Sequence, residues 1–444
     1  MTDLFLGLGS NLGDRKAALQ GALHLLAEQV GELCECSELV ETEPWGYQSQ
    51  NKYVNAVARF RTELTVGEVL EVTQAIEREL GRTVKTAADG VYTDRVIDID
   101  ILLYGSSVIY SPALRVPHPR MWQRQFVMEP LSSLSHTPHL CRQGGGTAAT
   151  IGFFDGVHLG HQHLMTQLCQ LASGQGQLPL AVTFDRHPST VVPHRQPTPI
   201  LTTRSECRER LLSFGVEVAE LQFDACMSQL TAREFMKLIL HEQLNVKTLL
   251  VGYDHHFGRP LPERRETIDD YKAYGRECGM EVVVATELSS DFHVSSSAIR
   301  RALLAGDVAT ANSMLGRPYR WTGRVVHGHA IGRQLGFPTA NLVALNPEQL
   351  LPARGVYAAM VDICDGVYPA MLNIGTRPTI SPADHTVTVE AHLFDYEGDL
   401  YGQTVTVAFH ACLRQERCFN SEEELMAQLH TDKTAALQAL STTN

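Results

Sequence analysis

Two aspartates, Asp98 and Asp100, stand two residues apart in the apolar segment 95–102. Because a strand alternates its side chains between two faces, we expect both carboxylates on one face. Aspartate is depleted in strands and like charges on one face repel, so a bound cation would stabilise the pair. Magnesium prefers oxygen ligands and is often shared with phosphates. The spacing therefore favours a magnesium site, while an amphipathic strand with one wet face remains the alternative.

Basic side chains precede and follow this pair. They are Arg82, Lys85, His118, Arg120 and Arg124. Such a set could hold a polyphosphate beside the metal. Each of these residues taken alone is better explained as a solvated surface charge.

A second candidate site lies where an apolar strand predicted at 148–154 runs into a loop containing His158 and His161. A helix is predicted to follow at 162–171. Glycines let a backbone approach its ligand, and a helix N-terminus offers N–H groups and a positive dipole to phosphates. The histidines could donate hydrogen bonds to the charge that grows as the α-phosphorus of ATP is attacked. The alternatives are a surface histidine pair and a fortuitous metal site.

A third candidate site combines a glycine-rich segment, 323–336, with the polar residues Thr339 and Asn341. Phosphates could lie against this backbone, although tight corners of a barrel have the same composition. In the segment 387–393, Glu390 is expected to face away from the valines, so that its carboxylate leaves the core and reaches a ligand. A plain surface glutamate is the alternative.

The elements that position these residues fall into three regions. Strands at 4–8, 54–61 and 96–104 and helices from Asp14 and at 66–80 predict an αβ domain. Apolar runs at 180–184 and 248–251 alternate with helices, as in a parallel sheet, up to a helix end near 315–316. From Tyr319, short strands at 321–326, 356–361 and 387–393 indicate a small β-barrel, closed by a helix at 421–440.

The junction between the first two regions is expected where the pattern decays after Leu131 and a glycine triplet stands at 144–146. The predicted domains are therefore 1–140, 148–317 and 318–444, with a glycine-rich linker at 141–147. A chain of 444 residues is long enough for several such domains.

Composition limits the classes of partner. The net charge of -13 argues against a broad nucleic-acid surface. The 10 cysteines are scattered without a metal-binding or redox spacing, so reduced thiols are expected. The sequence has no apolar run long enough for a membrane span and no leader pattern at its start, so we expect a cytoplasmic protein.

The first domain resembles 6-hydroxymethyl-7,8-dihydropterin pyrophosphokinase. The resemblance rests on motifs that occur in order: 4–11, Glu41 to Pro44, Tyr53-x-Asn55, Arg95-x-x-Asp98-x-Asp100, Val116-Pro117-His118 and Arg124-x-Phe126. It implies a ferredoxin-like α+β fold in which two magnesium ions on Asp98 and Asp100 bridge ATP. The pterin alcohol would then attack the β-phosphorus and AMP would leave. Valines at 40 and 84 and a short segment after Leu131 depart from the family pattern.

The same resemblance implies roles for the surrounding residues. Tyr53 and Phe126 would sandwich the pterin ring, and Asn55 would hydrogen-bond it. Thr42 and Pro44 belong to the same expected substrate site. The phosphates would be steadied by Arg82, Arg95, His118 and Arg124.

The second domain resembles the bacterial FMN adenylyltransferase module, a Rossmann-like α/β nucleotidyltransferase. The motifs are 152–161, with its His-x-Gly-His loop, 252–258 and 295–300. The segment 183–188 also fits, with Arg186 where proline is common. The resemblance implies phosphate contacts from Gly152, Asp155, Gly160, Ser296, Ser297 and Arg300. It places Asp254 in the nucleotide and flavin site.

The third domain resembles riboflavin kinase through Gly336-Phe-Pro-Thr-Ala-Asn341, and the match continues to Leu413-Arg414-x-Glu416. The resemblance implies that Thr339 and Asn341 hold magnesium and ATP phosphates beside Gly328 and Gly332. Glu390 would be the general base, and Arg414 is expected at the substrate.

Together these resemblances predict an enzyme that uses magnesium and ATP to convert riboflavin to FMN and FMN to FAD, fused to a pterin pyrophosphokinase that acts on hydroxymethyl-dihydropterin. One alternative is a first domain that binds pterin without turnover and serves as a docking module. Another is an adenylyltransferase for a different phosphate ester, because the histidine loop is shared by several such enzymes. Neither nucleic acid nor a membrane is an expected partner.

Overall fold

The computed structural model describes residues 1–82, 93–138, 141, 145–186, 198–252, 255–261, 264–289, 293–327, 336–376 and 387–441. The chain divides into two compact units. The first contains 1–153, 165–195 and 211–286, and the second contains 154–164, 196–210 and 287–444. The chain nevertheless contains three distinct folds: an α+β domain, a Rossmann-like sheet and a closed barrel. The unit boundaries differ from the predicted domain bounds, which stay predictions.

The N-terminal domain is built on a five-stranded antiparallel sheet in the order β2-β4-β1-β5, with β3 paired to β4. Its strands are β1 (Thr2–Ser10), β2 (Glu32–Cys36), β3 (Val40–Thr42), β4 (Tyr53–Thr62) and β5 (Asp98–Tyr104). Helices α1 (Arg15–Gln29) and α2 (Val66–Glu79) pack on the face that carries Leu4, Leu6 and Leu8. Helix α3 (Gln125–Ser133) packs near Phe5 and Leu102 of the other face. That second face carries the aspartates.

The Rossmann-like domain contains a sheet in the order β12-β11-β8-β9-β10-β6-β7. Its strands are β6 (Ser107–Tyr110), β7 (Arg115–Val116), β8 (Thr147–Ile151), β9 (Leu178–Phe184), β10 (Glu217–Leu221), β11 (Val246–Val251) and β12 (Glu281–Val284). All neighbours from β12 to β6 are parallel. The chain order reverses at β8, which makes its carboxyl end the topological switch point where such sheets bind ligands.

The helices of this domain follow its strands in alternation, as a parallel sheet requires. They are α4 (Leu159–Gln175), α5 (Arg204–Ser213), α6 (Ala225–Ser228), α7 (Ala232–Phe235), the π-helical α8 (Met236–Gln243) and α9 (Ile268–Cys278). Residues of α7, α8 and α9, among them Phe235, Met236 and Tyr271, share one hydrophobic core with the sheet.

The C-terminal domain is a closed antiparallel barrel in the order β13-β14-β17-β16-β15-β18. Its strands are β13 (Tyr319–Val326), β14 (Ala340–Ala344), β15 (Gly355–Ile363), β16 (Gly366–Thr376), β17 (Val387–Leu393) and β18 (Thr404–Arg414). Helices α10 (Ser296–Leu304) and α11 (Val308–Leu315) share its core through Ile299 and Leu303. Helix α12 (Glu422–Ser441) packs on the barrel through Ala436.

The predicted fold classes are confirmed, and two local predictions need correction. The strand predicted at 148–154 ends at Ile151, because Phe154 and Val157 have φ of 51° and 40° and cannot extend a strand. The following helix begins at Leu159 and therefore includes His161. Val387 and Val389 lie on the same face of β17, opposite to Glu390, although Val387, the first residue of the strand, is 49% exposed and Val389 is buried. Among the described helices, none is long and apolar enough to cross a membrane.

Candidate active sites

Asp98 and Asp100 lie on one face of β5, as their spacing predicted. Their partners in the neighbouring strand β1 are glycines, with Asp98 opposite Gly9 and Asp100 opposite Gly7. Gly9 also pairs with Asn55 on its other side. A Cβ atom at Gly9 would lie 2.9 Å from the amide oxygen of Asn55. The glycine therefore leaves room for Asn55 and Asp98 to face the same space above the sheet.

Three arginines contact the aspartates. Arg82 donates to Asp98 at 2.7 Å, and Arg95 donates to its other oxygen at 3.0 Å. Arg124 donates to Asp100 at 3.2 Å. His118 lies 3.9 Å from the same carboxylate. All four predicted phosphate-binding residues of this domain thus meet at the aspartate pair, which we name the aspartate site.

The aspartate site suits a divalent cation. Burial and the neighbouring Asp100 raise the pKa of Asp98, and Arg95 and Arg82 oppose that rise only in part. Burial lowers the pKa of His118, which favours its neutral form. A cation would remove the repulsion between the carboxylates, and Mg²⁺ typically takes one or two carboxylates together with phosphate oxygens. The residues therefore fit the predicted magnesium, which Asp98 and Asp100 could hold.

A pocket beside the aspartate site contains the predicted ring-binding residues. Its lining includes Thr42, Tyr53, Asn55, Arg124 and Phe126 together with both aspartates. The Asn55 amide donates to the Thr42 hydroxyl at 2.8 Å, which fixes its orientation. The lining does not include Pro44, although its neighbours Glu43 and Trp45 belong to it.

The hydrogen-bonded residues at the rim of this pocket were not predicted from the sequence. The carboxylate of Asp94 accepts hydrogen bonds from Asn11 at 2.6 Å, Tyr47 at 3.0 Å, Ser49 at 3.0 Å and Asn51 at 2.6 Å. Burial alone would raise the pKa of Asp94, but these hydrogen bonds lower it below its ordinary value. The only signal in the sequence is an aspartate directly before the Arg95 motif.

Two further residues, one in this pocket and one behind the aspartate site, were not predicted. Trp45 is a further aromatic residue of the pocket lining, with the Arg124 guanidinium 4.9 Å from its ring centroid. Glu77 of α2 is buried and pairs with Arg82, while its carboxylate also accepts from the Ile99 amide at 2.8 Å. Glu77 therefore orients Arg82 toward Asp98.

The second candidate site is the histidine loop, residues 154–161. Asp155 is 4% exposed, and one of its oxygens accepts hydrogen bonds from the amides of Leu201 at 2.8 Å and Thr202 at 3.1 Å. Its other oxygen pairs with Arg300. Burial raises the pKa of Asp155 and the pairing with Arg300 opposes the rise. Both oxygens of Asp155 are thus engaged by protein groups in this structure, and its predicted contact with phosphate stays a prediction.

The two histidines of the loop stack on each other, with ring centroids 3.7 Å apart. Burial lowers the pKa of His158 to about 4, so the ring is neutral at pH 7. The His161 amide donates to Nδ1 of His158 at 3.3 Å. Because Nδ1 is the acceptor, the proton of the neutral ring must be on Nε2. A Cβ atom on Gly160 would lie 3.3 Å from this ring, so glycine there lets the stack form.

The serines and the arginine of the third motif lie at the start of α10. The Ser296 hydroxyl donates to the Asp155 carbonyl at 2.8 Å, and Arg300 also donates to the Pro199 carbonyl at 2.7 Å. Ser297 is exposed. These residues therefore meet the histidine loop around Asp155. The Gly152 amide donates to Val182 at 3.0 Å, which extends the sheet. Asp254 lies outside the described residues.

The third candidate site is a row of polar residues across three barrel strands. Glu390 of β17 pairs directly with Asn341 of β14 on one side and with Asn373 of β16 on the other. Directly paired residues of antiparallel strands project to the same face. Asn341, Glu390 and Asn373 are thus side by side, which the linear sequence could not show for Asn373. We name this set the barrel site.

Two predicted residues of the barrel domain stand apart from this row. Thr339 is the residue immediately before β14, two positions before Asn341. Arg414 ends β18 and donates to Asp432 of α12 through Nε at 3.0 Å and Nη2 at 2.8 Å. This fork attaches the closing helix to the barrel. Gly328 and Gly332 lie outside the described residues.

Comparisons with protein families match the chain in three consecutive segments. Residues 5–136 match 7,8-dihydro-6-hydroxymethylpterin-pyrophosphokinase. Residues 142–298 match FAD synthetase, and residues 315–440 match riboflavin kinase. Each candidate site lies in a different one of these segments, except that Arg300, which pairs with Asp155, lies two residues beyond the end of the FAD synthetase match.

Among characterised relatives, the bifunctional riboflavin kinase/FMN adenylyltransferase of Pseudomonas fluorescens is 38% identical over 294 residues, which are 66% of this chain and 92% of that protein. The enzyme of the same name from Bacillus subtilis (strain 168) is 34% identical over 312 residues, 69% of this chain and 97% of the relative. A crystal structure of a macrolide-efflux protein from Streptococcus pneumoniae superposes with a TM-score of 0.60 at 31% identity, over 67% of this chain and 96% of that one.

Proposed function

We propose, since the chain belongs to the bifunctional riboflavin kinase/FMN adenylyltransferase family, that it phosphorylates riboflavin to FMN and adenylylates FMN to FAD, with ATP as the donor in both steps. We further propose that its N-terminal domain transfers pyrophosphate from ATP to 6-hydroxymethyl-7,8-dihydropterin. The observation that best supports the proposal is the presence of three separate sites in the three matched segments, each with residues suited to a polyphosphate.

The kinase step is assigned to the barrel site. The ribityl hydroxyl of riboflavin attacks the γ-phosphorus of ATP and ADP leaves. Glu390 is assigned as the general base that accepts the hydroxyl proton, because it carries the carboxylate of the polar row and is paired with Asn341 on one side and Asn373 on the other. Thr339 and Asn341 would hold magnesium, which neutralises charge on the phosphates when it is bound. Arg414 is expected to act through α12, not by direct contact with substrate, because Asp432 occupies its guanidinium.

The adenylyl step is assigned to the histidine loop. The FMN phosphate is already a nucleophile, so the site needs to position it against the α-phosphorus of ATP as diphosphate leaves. His158 donates through Nε2–H to the developing charge, with His161 stacked beside it. Asp155 orients Arg300 toward the phosphates, and Ser296 and Ser297 begin the helix that presents them.

The pterin step is assigned to the aspartate site. The hydroxymethyl oxygen attacks the β-phosphorus of ATP and AMP leaves. Arg82, Arg95 and Arg124 surround Asp98 and Asp100 and can exchange a carboxylate partner for a phosphate oxygen when ATP enters. Tyr53, Asn55 and Phe126 line the adjacent pocket, where they would orient the ring.

The neutral state of His158 predicts the pH dependence of FAD formation. With its pKa lowered to about 4, His158 does not lose a proton as the pH rises through 6.5. The phosphate of FMN gains nucleophilicity as it loses its second proton near a pKa of about 6. Initial rates of FAD formation from supplied FMN should therefore rise and then level off between about pH 5 and about pH 8. A rate that declines as the pH rises through this window would show that a protonated histidine is needed.

The lowered pKa of His158 also makes the free energy of unfolding depend on pH. The folded state favours neutral His158, so the unfolded state binds more protons between the folded and unfolded pKa values. The contribution of His158 to the free energy of unfolding is therefore complete above pH 6.5 and is lost as the pH falls toward 4. In His158→Gln, which keeps a donor but does not titrate, thermal unfolding should depend less on pH across this window. If thermal unfolding of the variant depended on pH as strongly as that of the unaltered protein, His158 would not take up a proton on unfolding.

The three assigned reactions can be separated by their by-products. Riboflavin phosphorylation releases ADP, FMN adenylylation releases diphosphate, and pterin pyrophosphorylation releases AMP. Supplying one acceptor at a time with magnesium and ATP, and quantifying these three products by chromatography, tests each assignment. We expect ADP and then diphosphate with riboflavin, because the FMN formed is adenylylated in turn, diphosphate without ADP with FMN, and AMP with the pterin. AMP absent with the pterin would restrict the proposal to the two flavin reactions.

A further inference from the structure

We propose that Gln243, which belongs to the segment matched by FAD synthetase, is a positioning residue for the pterin site. The inference rests on the proposed pterin pyrophosphokinase function of the N-terminal domain. Both parts of the chain involved lie in the same compact unit, residues 1–153 with 211–286. Within this unit, the N-terminal domain and the Rossmann-like domain share a sheet, a core and a buried hydrogen-bond network.

The shared sheet is formed by β6, which leaves the N-terminal domain after β5. Strand β6 pairs in parallel with β10, with Ser107 opposite Glu220 and Val108 opposite Leu221. The Gln222 amide donates to the Val108 carbonyl at 2.9 Å. Val108 is 1% exposed and belongs to the hydrophobic core of the Rossmann-like domain. The segment that follows β5 is therefore anchored in the second domain.

Gln243 is the polar centre of this contact. It ends α8, and it is 0% exposed. Its side-chain nitrogen, with two N–H groups, lies within hydrogen-bond distance of three carbonyls, those of Ile109 at 3.0 Å, Val116 at 3.1 Å and Pro117 at 3.3 Å, so that one N–H is shared between two of them. Carbonyls accept but do not donate, so they fix which end of the amide faces them. The backbone carbonyl of Gln243 in turn accepts from the Trp122 indole at 3.0 Å.

These contacts enclose the segment that supplies two side chains to the aspartate site. Gln243 holds Pro117 on one side and Trp122 on the other, and His118 lies between them. His118 reaches to 3.9 Å from Asp100, and Arg124 donates to the same carboxylate. Gln243 touches neither aspartate. It acts through the backbone at 116–122, whose position decides where His118 and Arg124 meet the phosphates.

The test uses the full chain with Gln243→Met, which keeps a similar volume and removes the donor. Displacement of a phosphate-binding loop by about 1 Å can lower a rate by roughly a hundredfold, so we expect pterin turnover to fall by about tenfold to a hundredfold. The KM for the pterin should change by less than about twofold, because the ring pocket is on β4 and α3. FAD formation from supplied FMN in the same sample should be unchanged.

The matched control is Gln349→Met. Gln349 is also buried, and its side-chain nitrogen likewise donates to two carbonyls, those of Arg320 at 2.9 Å and Leu201 at 3.3 Å. The Gln349→Met substitution should not lower pterin turnover. Trp122→Phe removes the second anchor alone, and it should lower pterin turnover without changing the KM. Equal pterin turnover in the Gln243 and Gln349 variants, or a common fall of all three activities in Gln243→Met, would overturn the inference.

Hydrogen exchange separates this inference from the function on which it rests. The His118 amide donates to Leu102 at 2.9 Å and the Met121 amide donates to His118 at 3.0 Å. In Gln243→Met both amides should exchange at least about tenfold faster than in the control. If the unaltered protein makes no pterin diphosphate, the proposed function fails, and faster exchange confined to 116–124 still supports the positioning role. Unchanged exchange would contradict it.

Discussion

Glu390→Gln is expected to abolish FMN formation while FAD formation from supplied FMN continues. The substitution keeps the size of the side chain and its place between Asn341 and Asn373, but an amide cannot accept the hydroxyl proton of riboflavin. Loss of a general base lowers a rate by at least about a hundredfold, or ~3 kcal/mol of transition-state stabilisation. The measurement is the initial rate of each flavin product, with riboflavin and with FMN as separate substrates.

The control for this prediction is Glu397→Gln, which changes an exposed acid in the same barrel domain. It should leave both flavin rates unchanged. If Glu390→Gln removed FAD formation from FMN as well, the assignment of the two flavin steps to separate sites would be wrong.

Asp98→Asn is expected to have an effect of similar size, on the pterin reaction alone. The carboxylate accepts from Arg82 and Arg95 and is the predicted magnesium ligand beside Asp100. An amide is a poor ligand for magnesium and cannot balance two guanidinium groups. We expect pterin turnover to fall by about a thousandfold, or ~4 kcal/mol. The rate is measured as AMP release at saturating pterin, over a range of magnesium concentrations.

Asp3→Asn provides a matched control, because Asp3 pairs with Arg59 at 2.9 Å in the same domain. It should retain pterin turnover. The two flavin rates should be unchanged in Asp98→Asn and in the double variant of Asp98 and Asp100, since we expect each ATP site to work independently. A folded double variant that had lost riboflavin kinase activity would contradict that independence.

Local patterns in the sequence were sufficient for most of the secondary structure and for the aspartate site. Alternation along 95–102 placed Asp98 and Asp100 on one face, and β5 confirms it. The helix predicted from Asp14 begins at Arg15, and the Asp14 side chain accepts from the Ala17 amide at 3.1 Å. Such features depend on neighbours within a few residues, which the sequence displays directly.

Features that depend on distant partners were not predictable. Strand β6 has four residues, and nothing in them indicates that their partner is β10, more than a hundred positions away. Asp155 was expected at phosphate, but its oxygens are engaged by Leu201, Thr202 and Arg300. A buried glutamine such as Gln243 has no sequence signature, because its role depends on carbonyls of another domain.

The central claim is that one chain carries three ATP-dependent transferase activities. It is tested most directly by incubating the purified chain with magnesium, ATP, riboflavin and hydroxymethyl-dihydropterin together and identifying the products by mass spectrometry. We predict that FMN, FAD and pterin diphosphate all form. FMN and FAD without pterin diphosphate would contradict the assignment of catalysis to the aspartate site and would leave the N-terminal domain as a docking module. Absence of the flavin products would contradict the account as a whole.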